Sequence, residues 1–402
     1  MERLQGTVVR GLRTPIFKEG DNLVEEISHL LMRFYLVEQV KPKNKDIISI
    51  TESVVARAQG NYAHIDDIAR DFHSKFPENE AVGIIFPILS RNRFATSLKG
   101  FARGAAMGNR EVILMLSYPS DEVGNSLAFT EVLEKLGVNP WTDVLSEREY
   151  RAIFGEFHHL FTGVDYVEFY RQILESEGVN CQVVFANIAT SILPYTKNVL
   201  NCDIHSRDKT KDLLCKAGAK KVLTLAEILN KANTSHGYNE EYGLLGANAA
   251  TENTIKLFPR DCQRLVMDLQ ARMKELTGKL IEVMVYGDGA FKDPVGQIWE
   301  LADPVVSPGF TPGLSGTPSE VKIKYLADNT FSHLKGDDLK GAIKNHLAKI
   351  LEEDISQAES LGTTPRRLTD LIGSLSDLTS GSGDKGTPLV YIQGYFDKFS
   401  ID

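Results

Sequence analysis

Between residues 105 and 235, apolar runs of strand length alternate with amphipathic helical stretches, and this pattern limits the possible folds more than any other. EVILMLS is followed by helical FTEVLEKLG and YVEFYRQILESEG, then by CQVVFANI, helical RDKTKDLLCKAGA and KVLTLAEIL. Each parallel crossover needs a helix to return the chain, and strands covered on both faces read as continuous apolar runs. The spacing therefore predicts a parallel α/β unit over 105–235. The polar, glycine-bearing stretch KANTSHGYNEEYG at 231–243 marks its end.

On the N-terminal side, TVVRGLRTPI reads as a strand, VEEISHLLMRFYLVEQV as a helix, and DIISITESVVARAQG as a β-branched strand closed by glycine. IDDIARDFHSKF reads as a helix and AVGIIFPIL as a buried strand. On the C-terminal side, TENTIKLFPRDCQRLVMDLQARMKELTG is expected to be a helix and KLIEVMVYGDG an apolar strand. A Pro/Gly-rich stretch over 303–317 reads as an ordered loop without regular structure. A helix over 339–352 then precedes RRLTDLIGSLSDLTSGSGDKGTPLVYIQGY, which reads as helix, glycine-rich loop and strand. The expected fold is α/β, mixed α+β, divided into 1–104, 105–235 and 236–402.

Composition excludes several functions. With 54 acidic against 45 basic residues the net charge is −9, which argues against an extended phosphate-neutralising surface and so against nucleic acid. No stretch reaches the roughly 18 apolar residues of a membrane span, and the start lacks a signal-peptide core, so a cytoplasmic protein is expected. Cys181, Cys202, Cys215 and Cys262 show no CxxC spacing and are expected to be reduced and structural. His158, His159 and His205 have no zinc-ligand spacing and receive no catalytic role.

Four features could carry chemistry. The loop Ser380-Gly381-Ser382-Gly383-Asp384-Lys385-Gly386-Thr387 offers close backbone approach, a lysine and hydroxyls to a phosphate, although such loops are also common connections. It is not a Walker A motif, because a strand follows instead of a helix. Tyr286-Gly287-Asp288-Gly289 ends an apolar strand, with Asp293 and Asp303 close behind; carboxylates there suit Mg2+ or Mn2+, and a tight turn explains them equally. GANAATEN at 246–253 is expected to open a helix, with Asn248 either capping it or facing a metal-phosphate complex. Thr14-Pro15-Ile16-Phe17 forms a rigid turn before a helix, Arg57 ends the next strand segment, and Arg91, Arg93, Lys99 and Arg103 form a basic cluster. Each of these cations can be a surface charge or an anion contact.

In their order, these pieces resemble the coenzyme F420-0:L-glutamate ligase family. TPIFKEGDNL at 14–23 is similar to its opening segment, DIISITESVVARAQG to its strand ending in Lys-Ala-Glu-Gly, and TDLIGSLSDLTSGSGDKGTPLVYIQG to its closing helix, loop and strand. GANAATEN and VYGDGAFKDPVG are weaker matches. The resemblance covers about 5–100 and 240–395, which makes 105–235 an inserted α/β unit within a two-part ligase-like core.

The resemblance implies GTP or ATP, Mg2+ or Mn2+, a homodimer, and an amide formed between L-glutamate and a carboxylate acceptor through an acyl phosphate. It places nucleotide at Thr14, Pro15, Ile16, Phe17, Glu52, Ser53, Arg57 and the 380–387 loop, with Arg57 and Lys385 positioning it. It places metal at Asn248 and Asp288. Arg57 stands where the family has lysine, Asn248 where it has aspartate, and Ser382 where it has an acid. Asp293 and Asp384 are then candidates to complete a rewritten metal site. A nucleotide-binding or regulatory protein that has lost catalysis is the alternative, and a nucleoside or sugar ligand for the inserted unit is a third.

Overall fold

The computed structural model describes residues 5–287, 303–318, 321–349, 366–381 and 383–397. The fold is mixed α/β, built around three sheets.

The two ends of the chain build one five-stranded sheet, in the order Val8–Leu12, Leu389–Gln393, Ile47–Thr51, Glu282–Tyr286, Gly309–Phe310. Ile47–Thr51 and Glu282–Tyr286 run parallel at its centre and the other pairings are antiparallel. Both central strands are buried on both faces, as their β-branched and apolar residues require. One face packs on the Leu23–Val37 and Cys262–Thr277 helices, burying Ile27, Leu31, Val266 and Leu269. Asn22 starts the first of these helices by accepting the Glu25 N–H at 3.3 Å. The Leu368–Ser380 helix covers the other face through Leu368 and Ile372.

The middle of the chain forms a six-stranded sheet, in the order Leu145–Ser146, Cys181–Phe185, Val112–Leu116, Val82–Ile85, Asn198–Asn201, Lys221–Thr224. It is parallel except for the short Leu145–Ser146 edge. The alternating pattern thus produces the parallel unit it predicts. One of its central strands, Val82–Ile85, lies ahead of residue 105, because a fully buried strand must sit between two others wherever it falls in the chain.

Several local expectations are corrected. DIISITESVVARAQG is split into the strand Ile47–Thr51 and the helix Glu52–Ala58, so Arg57 lies on a helix. Burial of Val55, Ala56 and Ala58 along one side outweighs the β-branched propensity of Val54 and Val55. Asn248 caps no helix. Asn248–Ala249 pairs with Thr254–Lys256 in a hairpin, and Thr254–Lys256 pairs with Tyr62–His64, making the third sheet. Pro259 and Asp261, at φ 52°, delay the helix to Cys262–Thr277. The 303–317 stretch does contain regular structure, since Gly309–Phe310 adds an edge strand beside Met284 and Val285. The basic cluster lies in part on a helix, Phe94–Met107. All four cysteines are free, and Cys202 and Cys262 are buried. Among the described residues no helix is long and apolar enough to cross a membrane.

Candidate functional site

The parallel strands Ile47–Thr51 and Glu282–Tyr286 end side by side, with Thr51 opposite Tyr286. The glycine-rich loop closes over these ends. Thr51 donates its N–H to Pro388 O at 3.0 Å, Thr14 donates its own to Gly386 O at 3.1 Å, and Thr387 Oγ1 donates to Ser380 O at 3.0 Å. Loop, turn and strand end are thereby tied together although they lie far apart in the chain.

A cleft of about 450 Å³ opens between them. It is lined by Thr14, Pro15, Ile16, Phe17, Ser53 and Arg57 from the N-terminal half and by Ser380, Gly381, Gly383, Gly386 and Thr387 from the C-terminal end. Most of the expected nucleotide-binding residues therefore meet in one place. Arg57 is exposed there and has no ion pair among the described residues. Gly381 adopts φ 60° and ψ −145°, and a Cβ on it would come within 2.5 Å of Lys385 Nζ. Only glycine lets the ammonium lie so close to the backbone. Because the loop follows a helix C-terminus, the dipole there does not favour an anion; Arg57 lines the cleft, whereas Lys385 is not among its lining residues.

A second cavity of about 700 Å³ shares Thr51, Ser53 and Arg57 with the first and adds Lys18, Glu52, Asn248 and Lys256. Glu52 is 6% exposed. Lys256 Nζ lies 3.1 Å from its Oε1 and donates to Ser53 Oγ at 2.7 Å. Glu52 Oε2 has no hydrogen-bond partner among the described residues. Burial chiefly, and the nearby charge of Asp303 further, push the Glu52 carboxyl up to about 7 against the pull of Lys256 and Arg93. Asp303 in turn accepts from Arg93 at 3.1 Å and presses against Gly287, where a Cβ would collide with it.

Asn248 and Glu52 offer oxygen donors at this cavity, which suits a hard divalent cation. The unpartnered Oε2 is the acceptor such a cation would satisfy. Asp384 is exposed on the turn Gly383–Lys385 and lines neither cavity, so the structure does not bring it to Asn248. Asp288, Asp293 and Ser382 lie outside the described residues. Among the described residues, no three His, Cys, Asp or Glu side chains are grouped to hold a metal.

A family model for F420-0:gamma-glutamyl ligase matches residues 11–394. The chain belongs to that family. The match spans both ends of the chain that form the cleft, and membership places the protein among ligases. No curated protein matches the chain.

Lys256 and Thr51 are site residues that the sequence pattern does not single out. Lys256 falls in a stretch whose pattern reads as helix, but Thr254–Lys256 forms a strand because Tyr62–His64 lies beside it. Thr51 enters the site only through sheet register, beside Tyr286.

Proposed function

We propose that this chain joins an amino acid, first of all L-glutamate, to a small carboxylate acceptor at the expense of GTP or ATP. One observation carries this reading: residues 14–17, Ser53, Arg57, Ser380, Gly381, Gly383, Gly386 and Thr387 line a single cleft in which Arg57 has no ion pair among the described residues, and that cleft continues into a cavity holding Glu52 and Asn248. The terminal phosphoryl passes from the nucleotide to an acceptor carboxylate oxygen, leaving a nucleoside diphosphate and an acyl phosphate. The glutamate amine then attacks the acyl carbon, phosphate leaves and a proton is released.

Such chemistry depends on positioning and charge neutralisation more than on a protein nucleophile. Arg57 and Lys385 hold the phosphates. A bound Mg2+ or Mn2+, held by Glu52 and Asn248, would add further neutralisation of phosphate charge. Glutamate-dependent phosphate release, measured with each nucleotide and a panel of carboxylate acceptors, tests the reading; no release with any combination sinks it.

Lys256 favours a second reading. Its ammonium sits 3.1 Å from Glu52, where it can stand in for a metal, as in a protein that binds nucleotide without turning it over. Calorimetry separates the two. Nucleotide affinity that does not change with added Mn2+ supports the non-catalytic protein, and a metal-dependent affinity supports the ligase.

A further inference from the structure

The six-stranded unit carries a cavity that the reaction above leaves unused. Its strands are added outward from Val82–Ile85 first through Val112–Leu116 to Cys181–Phe185, then on the opposite side through Asn198–Asn201 to Lys221–Thr224. Open α/β sheets bind ligands outside the carboxyl ends of their strands. A cavity of about 640 Å³ lies at the carboxyl ends of two of these strands, walled by residues 88–93 after Val82–Ile85, Val123 and Asn125 after Val112–Leu116, and His159, Phe161, Thr162 and Tyr166.

Two donors, His159 and Arg91, line this space. His159 lines the cavity and is 4% exposed, and its Nδ1 accepts the Thr162 N–H at 3.1 Å. The neutral ring must then carry its proton on Nε2, which has no partner among the described residues. Burial, and after it the charge of Arg91, hold the imidazole pKa below its ordinary value, so the ring stays a neutral donor. Arg91 is exposed at the same cavity and makes no ion pair among the described residues. The acid behind the wall, Asp121, is already occupied. It accepts from the N–H groups of Leu89 at 2.8 Å, Val123 at 3.1 Å and Asn125 at 2.8 Å, and from Asn125 Nδ2 at 2.7 Å.

The cavity also adjoins the reaction site. Ala249 lines both this cavity and the one holding Glu52, and its N–H donates to Asn92 O at 2.6 Å. We propose that this is a second ligand site. A carboxylate or phosphate group of a small molecule lies between the Arg91 guanidinium and the His159 Nε2–H, and the body of the ligand runs past Ala249 toward the nucleotide cleft. That the ligand is the acceptor rests on the ligase reading; the anion site itself does not.

Calorimetric titration of the full chain with inorganic phosphate and, separately, with glutarate tests the site. Wild type is compared with Arg91→Ala, an exposed position that lines the cavity, and with Lys216→Ala, an exposed cation that lines neither this cavity nor the cleft. At least one anion should bind, about ten-fold or more weaker in Arg91→Ala and within about two-fold of wild type in Lys216→Ala. Tighter binding of phosphate identifies a phosphorylated ligand, and tighter binding of glutarate a carboxylate. Binding indifferent to Arg91→Ala, binding weakened equally by Lys216→Ala, or no binding of either anion overturns the proposal. Arg91-dependent binding without glutamate-dependent phosphate release would leave this site standing and remove only the ligase reading.

Discussion

Burial and charge pull Glu52 in opposite directions, and burial wins. Its folded-state pKa of about 7 lies above the ordinary 4.5, so between those values the native state holds more protons than the unfolded chain. The stability contributed by this group is therefore full in acid and is lost as pH rises through about 7. Denaturant melts between about pH 5 and about pH 8 should show a loss of stability that Glu52→Gln abolishes; an equal slope in the variant would mean that another group is responsible. Arg57 presents the opposite case, a cation whose side chain has no ion pair among the described residues. Arg57→Ala should leave folding within about 0.5 kcal/mol of wild type while weakening GTP or ATP binding about 10- to 100-fold, the range expected for losing a charged hydrogen bond. Unchanged nucleotide affinity in this variant would move the nucleotide out of the cleft.

At the scale of elements, the glycine-rich loop owes its shape to particular glycines. Gly381 sits where a side chain is strained and would strike Lys385, whereas nothing lies within 4 Å of a Cβ on Gly383. Gly381→Ala should cost about 1–3 kcal/mol and weaken nucleotide binding, and Gly383→Ala should cost below about 0.5 kcal/mol. Thermal melts and titrations of the two variants decide it; equal effects would show that general loop flexibility, and not the Gly381 conformation, matters. The loop was legible in the sequence because glycine spacing, a lysine and the following strand are all local. So was the alternating middle unit, whose two-sided burial writes itself into continuous apolar runs. The Glu52–Ala58 helix was not, since Val54 and Val55 carry a strand preference that only packing overrides. Thr254–Lys256 is three residues long, too short for a period of 2 to be told from 3.6, and its strand exists because Tyr62–His64 lies beside it.

For the whole molecule, the decisive contact is the ion pair between Arg93 and Asp303. Arg93 leaves the six-stranded unit just after Val82–Ile85, and Asp303 packs against the end of Glu282–Tyr286 in the five-stranded sheet, so the pair joins the two sheets beside the cleft. Neither its sequence separation nor its charges distinguish it from surface residues; only the fold does. The side chains are 17% and 3% exposed, so Arg93→Ala strands a buried carboxylate from this partner and should cost about 3–5 kcal/mol. Asp303→Asn should lower the cost of removing Arg93, with a coupling of about 0.5–3 kcal/mol in a double-mutant cycle read by urea unfolding. The same pair acts on Glu52, since Asp303 raises its pKa and Arg93 lowers it. The midpoint of the Glu52-dependent pH transition should consequently rise in Arg93→Ala and fall in Asp303→Asn. Shifts in the same direction would mean that the two substitutions act by loosening the junction. Opposite shifts would mean that the Arg93–Asp303 pair tunes the charge of Glu52 across the junction between the two sheets.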